Sequence, residues 1–408
     1  MMRKHEGINQ MKILEDKHIL LGVTSSIASF KAVSLASKLS QAGALVDVIM
    51  TEHATKLVSP ASFEGVTHRK CYLDVMGDTE DLSALHISIA SRADLAVIAP
   101  CSANMIGKIA HGIADDKLST TMLAVRCPVI LAPAMNVHMY ENPVVQDNLE
   151  ILRRRNMHIL EPGTGMLACG ENGKGRMPEP EVIFDIVAQY LGMPKILSGK
   201  HVLVTAGATR EPIDAVRYIS NPSTGKMGYA CARAALMAGA KVTLVTAPTA
   251  LPAVPGATMI PVTTAEEMAQ AVFKVAPEAD IVIMSAAVSD FTPVQVSKHK
   301  IHKTDADLTI QLKPTTDILQ TLGLNKRPGQ ILCGFCMETE DLIERAKHKL
   351  ISKHLDLVVA NNLLEPGCGF AHDTNGVTLI TANHCVTLPV ADKLSVAIDI
   401  IKALAISN

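Results

Sequence analysis

"HILLGVTSSIASFKAVSLASKLSQAGALVDVIM" (His18–Met50) decides the fold. Its ends, HILLGVT and LVDVIM, are short apolar runs, the pattern of strands buried on both faces. Between them FKAVSLASKLSQAG carries a helical pattern. Strand, helix and strand in that order imply a βαβ unit and a parallel sheet.

The alternation continues through DLAVIAP and PVILAP, with VVQDNLEILRRR as a further helical stretch. After the helical VIFDIVAQYLG comes a break, MPKILSGK, which carries Pro, Ser and Gly and puts a domain boundary near Pro194. HVLVTAG, KVTLVTAP, DIVIMSAAV and LDLVVANN then read as new strands, and GKMGYACARAALMAGA supplies the first crossover helix. The expectation is an α/β chain of two Rossmann-like domains, over 15–193 and 200–408, without a sequence repeat between them. Two domains are also what 408 residues imply.

Hydrophobic residues make up 48% of the chain, enough for two buried cores. A net charge of -2, no basic stripe and only 3% aromatics argue against nucleic-acid binding. The opening residues MMRKHEGINQMKILEDK lack the apolar core of a signal peptide, and no apolar run approaches the roughly 18 residues of a membrane span. Nine scattered cysteines look like reduced thiols, so the reading is a cytoplasmic protein with no membrane partner.

In such sheets ligands sit beyond the carboxyl ends of the strands. GVTSSIASFK follows the first strand, and Ser25 and Ser26 offer hydroxyls and amides at a helix N-terminus. Simple serine capping explains the same residues equally well. ISNPSTGKMG (Ile219–Gly228) looks like a phosphate loop, but Ser220 stands where a Walker loop needs Gly, and Met227 follows the lysine. CGFC places Cys333 and Cys336 in a redox- or zinc-like spacing; its apparent position in a buried strand favours a structural role.

PAMNVHMYENP, with HISIA, PCSANMIGKIAHGIADD and GMLACGENGKGRMPEP in that order, resembles the flavin-containing cysteine decarboxylases. TAGATREPIDAVRYISNPSTGKMG, SAAVSDF and GFCMET resemble phosphopantothenate–cysteine ligase. The pair, over nearly the full length, is similar to the bifunctional phosphopantothenoylcysteine decarboxylase/phosphopantothenate–cysteine ligase family of coenzyme A biosynthesis. The resemblance implies a flavodoxin-like N-terminal sheet and a Rossmann-like ligase domain.

It also implies chemistry. An N-acyl cysteine has no electron sink beta to its carboxyl group, and in this family FMN is thought to provide one by oxidising the thiol to a thioaldehyde. CO2 then leaves and the enethiol is reduced by the same flavin. His86 matches the family's active-site histidine, suited to proton handling near neutrality. Asn136 matches the clamp on the substrate carboxylate, and Cys169 the thiol that protonates the enethiol from a lid. Ser25, Ser26, Phe30, Ser102 and Asn104 are the implied FMN contacts. Met135 and Met139 read as packing, and Tyr140 stands where many members have Trp.

For the ligase, the resemblance implies that CTP converts 4'-phosphopantothenate to an acyl-cytidylate, with Mg2+ balancing phosphate charge, before the amine of cysteine displaces CMP. Asn221 matches the asparagine that processes the acyl-cytidylate, while Ser223, Thr224 and Gly225 would hold phosphate. Asp290 and Phe335 match cytosine-nucleotide contacts, and Lys349 and Lys353 match triphosphate-binding lysines. Lys300 in KIHK is the implied charge stabiliser; His302 departs from the family's basic pattern. A unit charge about 4 Å from phosphate is worth about 4 kcal/mol at an effective dielectric of about 20, so a neutral histidine weakens that field. Lys226 reads as a solvated charge ahead of a direct ligand contact. Which residues hold the metal stays open. A homo-oligomer built from trimers, as large as a dodecamer, is implied by resemblance alone.

Two rival readings compete with it. A nicotinamide-dependent oxidoreductase would need a glycine-rich fingerprint with a ribose-binding acid, which neither half shows. A non-catalytic flavoprotein subunit would have no need to keep His86, Asn136 and Cys169.

Overall fold

The computed structural model describes residues 12–73, 85–166, 170–303, 308–338, 341–362, 368–369 and 372–406. The chain divides into two units between Met193 and Pro194.

In the first unit, strand β1 (His18–Val23) pairs in parallel with β2 (Leu45–Met50) on one side and β4 (Leu95–Cys101) on the other. Strand β3 (Cys71–Tyr72) lies outside β2, and β5 (Val129–Pro133) and β6 (His158–Ile159) outside β4. The order β3-β2-β1-β4-β5-β6, parallel throughout, is that of a doubly wound sheet. Ile19, Leu20 and Leu21 are wholly buried because the sheet is covered on both faces. Ile19 and Leu21 join the cluster containing Leu35 and Leu39 of the helix Ser29–Gln41. Leu20 joins the opposite cluster, with Met105, Ile106 and Leu118. This period of two across a continuous apolar run is what the opening stretch encodes.

Asp47 of β2 is 2% exposed and paired twice: Arg69 Nη2 donates to it at 2.7 Å and Arg92 Nε at 2.8 Å. Arg92 ends the helix Leu85–Arg92, so this buried carboxylate fixes the helix that carries His86.

The second unit holds an eight-stranded sheet. His201–Ala206 lies between Lys241–Thr246 and Ile281–Met284, parallel to both. Ile331–Glu338 and Leu357–Asn362 extend it in parallel, and Val377–Ile380 and Cys385–Thr387 close that edge antiparallel. The crossover helix Lys226–Met237 lies close on its strand: at Gly228 an added Cβ would stand 2.7 Å from the carbonyl oxygen of Thr205. Backbone packs on backbone there, and only small residues fit.

Cys333 and Cys336 both lie in the strand Ile331–Glu338 and are 0% and 4% exposed. Three residues apart in a strand, they face opposite sides of the sheet and cannot share a metal or close a ring. Burial pushes the Cys333 thiol well up, as a packing residue requires.

Candidate functional sites

In the first unit, the turn after β1 faces the turn after β4. Thr24 Oγ1 donates to Pro100 O at 2.8 Å and accepts from Ser102 N at 2.9 Å, stitching the two strand ends together. Ser29 is buried and donates to the carbonyls of Ser26 (2.6 Å) and Thr24 (3.0 Å). The Ser26 hydroxyl accepts from Ala28 N at 3.3 Å, yet the helix Ser29–Gln41 starts without a side-chain capping bond. Two amides of its first turn are used within the chain instead, Ser29 N donating to Ser26 O (2.9 Å) and Lys31 N to Ala28 O (3.0 Å). Ser25 is exposed beside them, as are two apolar side chains, Ile27 (67%) and Phe30 (61%). An exposed serine hydroxyl next to exposed apolar side chains fits a group with a phosphate and a flat aromatic ring, such as a flavin nucleotide. Ser102 caps the helix Ala103–His111 by accepting from Met105 N at 3.4 Å, and Asn104 is exposed in its first turn. Thr24 and Ser29 carry this corner and were not singled out by sequence; for Thr24 a hydroxyl residue directly after the apolar run is the available signal.

Asn136 stands at the start of the helix Val137–Glu141, where its Oδ1 accepts from His138 N at 2.8 Å. That bond fixes the amide with its nitrogen outward, and Nδ2 donates to Glu171 Oε2 at 3.0 Å. His138 Nε2 lies 3.3 Å from the other Glu171 oxygen. Glu171 adjoins a hairpin of β7 (Gly163–Met166) and β8 (Asn172–Arg176); Cys169 lies outside the described residues. His86 sits half-buried in the first turn of its helix, with no bond to Asn136 among the described residues. Met139 is 50% exposed, while Tyr140 is 5% exposed with the Lys174 ammonium 5.5 Å from its ring centre. Met139 is therefore less of a packing residue than its motif implies.

In the second unit, a cavity of about 490 Å³ opens over the carboxyl ends of the parallel strands. Ser223, Thr224 and Gly225 line one side of it. Gly225 takes the left-handed conformation (φ 79°) at the start of the helix Lys226–Met237, which has no side-chain cap. ISNPSTGKMG is thus a loop whose glycine aims helix amides at the cavity, without the Walker spacing. Asp290, Phe335, Lys349 and Lys353 line the other walls. Lys349 Nζ donates to Phe335 O at 2.6 Å, and Lys353 Nζ pairs with Asp317 at 2.8 Å. Burial works against ionisation of Asp317, but Lys353 and the Gln320 amide outweigh it and hold its carboxyl below the usual range. Lys226 also lines the cavity and pairs with Asp373 at 2.7 Å.

Asn221 stands beside the cavity, its Nδ2 donating to the carbonyl of the lining residue Ala287 at 3.4 Å. Lys300 is exposed and is not a lining residue. Its loop is tied down elsewhere, by Ile301 N on Asp214 Oδ2 (3.0 Å) and Ser297 N on Ile213 O (3.0 Å). Lys393 and Asn361 line the cavity without having been picked out from the sequence. Lys393 is 7% exposed, and burial pulls its ammonium below the usual lysine range. Two groups of candidate residues are therefore close-set in the structure, while Lys300 stands apart. Among the described residues no group of three or more His, Cys, Asp or Glu is placed to hold a metal ion. No described helix is long and apolar enough to cross a membrane.

Two family models match the chain. Residues 8–192 match the flavoprotein family, and residues 197–406 match the DNA/pantothenate metabolism flavoprotein C-terminal domain. The coenzyme A biosynthesis bifunctional protein CoaBC of Bacillus subtilis (strain 168) is 47% identical over 397 residues, 96% of this chain and 98% of that one. CoaBC of Vibrio vulnificus (strain YJ016) is 39% identical over 396 residues, 97% of this chain and 98% of that one. A cysteine/cysteine sulfinic acid decarboxylase from an unknown prokaryotic organism is 43% identical over 354 residues, 85% of this chain and 99% of that one. With both domains present in order and the match spanning nearly its whole length, the chain belongs to the CoaBC family of bifunctional coenzyme A biosynthesis proteins.

Proposed function

We propose that the unit ending at Met193 decarboxylates 4'-phosphopantothenoylcysteine with bound FMN, and that the unit beginning at Pro194 makes that compound from 4'-phosphopantothenate and cysteine with CTP and Mg2+. Decarboxylation and ligation are the two activities of a bifunctional CoaBC protein. The observation that carries the fuller reading is the cavity wall on which Ser223, Thr224, Gly225, Asp290, Phe335, Lys349 and Lys353 meet.

Bound FMN supplies a two-electron oxidant and reductant that turns the substrate's thiol carbon into an electron sink. The turn at Thr24–Phe30 and the helix start at Ser102–Asn104 would hold it. Asn136 presents its amide nitrogen to the substrate's carboxylate, and its own carbonyl cannot turn toward that anion because His138 N holds it. His86 moves a proton, and Cys169 returns one to the enethiol carbon.

In the second unit the hydroxyls of Ser223 and Thr224, the helix start that follows Gly225 and the lysines at 349 and 353 neutralise phosphate charge. Asp290 accepts hydrogen bonds from the cytosine edge, and Phe335 packs against the ring. Asn221 donates to the acyl phosphate oxygens as CMP leaves. Lys300 reaches this chemistry only if its loop turns inward from the Asp214 anchor. A cytoplasmic, trimer-based homo-oligomer belongs to the same reading, and light scattering on the intact protein tests the assembly.

The experiment supplies purified holoprotein with 4'-phosphopantothenate, cysteine and either CTP or ATP, with and without a chelator. Pyrophosphate, the nucleoside monophosphate and CO2 are followed together. CTP-dependent CMP that the chelator abolishes, followed by CO2 release, is the expected result. CO2 from free cysteine without nucleotide would overturn the substrate assignment, and a protein free of flavin that keeps full decarboxylation would overturn the mechanism.

A further inference from the structure

We propose that the subsite for the substrate's carboxylate has two donors, Asn136 and His138, and that Glu171 is its resident occupant, displaced when substrate enters. This rests on the decarboxylase reading and extends it, naming a second recognition residue and an internal competitor.

One carboxylate bridges two donors here: Glu171 Oε2 accepts from Asn136 Nδ2 at 3.0 Å, and Oε1 lies 3.3 Å from His138 Nε2. The donors are arranged by the chain itself. The backbone N–H of His138 donates to Asn136 Oδ1 at 2.8 Å, which commits the amide's acceptor and leaves its nitrogen for an anion. The same helical turn then sets the His138 ring beside that nitrogen. Glu171 is delivered by two glycines. A Cβ on Gly173 would stand 2.8 Å from the Val137 side chain, and one on Gly175 would stand 2.2 Å from Met135 O. Bare backbone therefore lies against Met135–Val137, with Gly175 O accepting from Met135 N at 3.0 Å. The residue just before β8 comes to rest over the Asn136 amide.

A substrate bearing its own carboxylate competes for the same two donors. Two carboxylates crowded onto one amide and one imidazole repel each other, so occupancy is exclusive. The resident bond is made to be displaced: the Glu171 and His138 side chains are 47% and 76% exposed, so water screens their attraction. Glu171 keeps the amide oriented and taxes every acid that binds.

The test uses full-length holoprotein and a matched pair of unreactive ligands: the S-methyl thioether of 4'-phosphopantothenoylcysteine and that of 4'-phosphopantetheine, which lacks the carboxylate. Their equilibrium affinities are compared in wild type, Glu171→Ala, Glu171→Gln and His138→Ala. If Glu171 holds the donors about nine-tenths of the time, Glu171→Ala tightens the acid about tenfold relative to the decarboxylated ligand. Glu171→Gln, which keeps the volume, shifts the ratio the same way, and His138→Ala shifts it in the opposite direction. An equal change for both ligands, an unchanged ratio, or weakening confined to the acid in Glu171→Ala overturns the proposal. CO2 release by wild type is measured alongside. Its absence with the expected ratios would remove the decarboxylase reading and leave the subsite standing; its presence with unmoved ratios would remove the subsite alone.

Discussion

Gly175 and Met135 touch backbone to backbone: Met135 N donates to Gly175 O at 3.0 Å, and a Cβ on Gly175 would sit 2.2 Å from Met135 O. Gly175→Ala must push β8 off the segment that carries Asn136. Overpacking of this kind costs about 1–3 kcal/mol, and a displacement near 1 Å costs about 10²-fold in rate. CO2 release should fall by about that factor while CMP formation stays within about twofold of wild type. A parallel loss of both activities would show that the damage is not local to β8.

His86→Asn keeps a polar side chain in the first turn of its helix and removes the imidazole. General acid–base groups contribute about 10²–10⁴-fold, so decarboxylation should drop by at least about 10²-fold. Ligation should be untouched. Retained CO2 release in a variant that keeps its yellow flavin would remove His86 from the chemistry.

Asn221 donates to the Ala287 carbonyl from beside the ligase cavity. In Asn221→Asp an anionic oxygen faces that carbonyl and the phosphates. Ligation should fall by about 10²-fold or more, with decarboxylation of supplied 4'-phosphopantothenoylcysteine unchanged. Amide formation at the wild-type rate would exclude the residue from the mechanism.

Lys353→Ala leaves Asp317 facing the cavity without its partner at 2.8 Å. A charge-assisted hydrogen bond contributes about 1.5–3 kcal/mol, so the KM for CTP should rise by about 10–100-fold. Steady-state kinetics at saturating 4'-phosphopantothenate measure it. An unchanged KM would confine Lys353 to its ion pair with Asp317.

Asp214 gives a pH signature. Arg217 beside it, then the amides of Ile301, Val216 and Arg217, hold its carboxyl far below the usual carboxylate range. A folded-state value below the unfolded one stabilises the protein above the unfolded pKa, near 3.9. That contribution is lost as pH falls through the depressed value. Urea melts should therefore show a gap between wild type and Asp214→Asn that is level from pH 7 to about pH 5 and shrinks only below about pH 4. A gap already closing at pH 6 would contradict the anchor.

Much of this was written in the chain. Apolar runs as continuous as Ile19–Leu21 admit only a sheet covered on both faces, and Gly225 before an alanine-rich stretch announces the turn that starts that helix. The order of the strands was not legible, because alternation alone does not say which neighbour each strand takes. Glu171 was not legible either. Its place over Asn136 depends on glycines at 173 and 175 meeting Val137 and Met135, a contact between segments far apart in sequence.

The sequence by itself determined the α/β class and the residue types at the strand ends, since periodicity and motif spacing are local properties. Tertiary structure alone decided that Asp290, Phe335, Lys349 and Lys353 share one cavity with the glycine loop, and that Lys300 does not line it. The physical reason is that a cavity is made by the order in which strands pair, and pairing is settled by packing across the whole sheet.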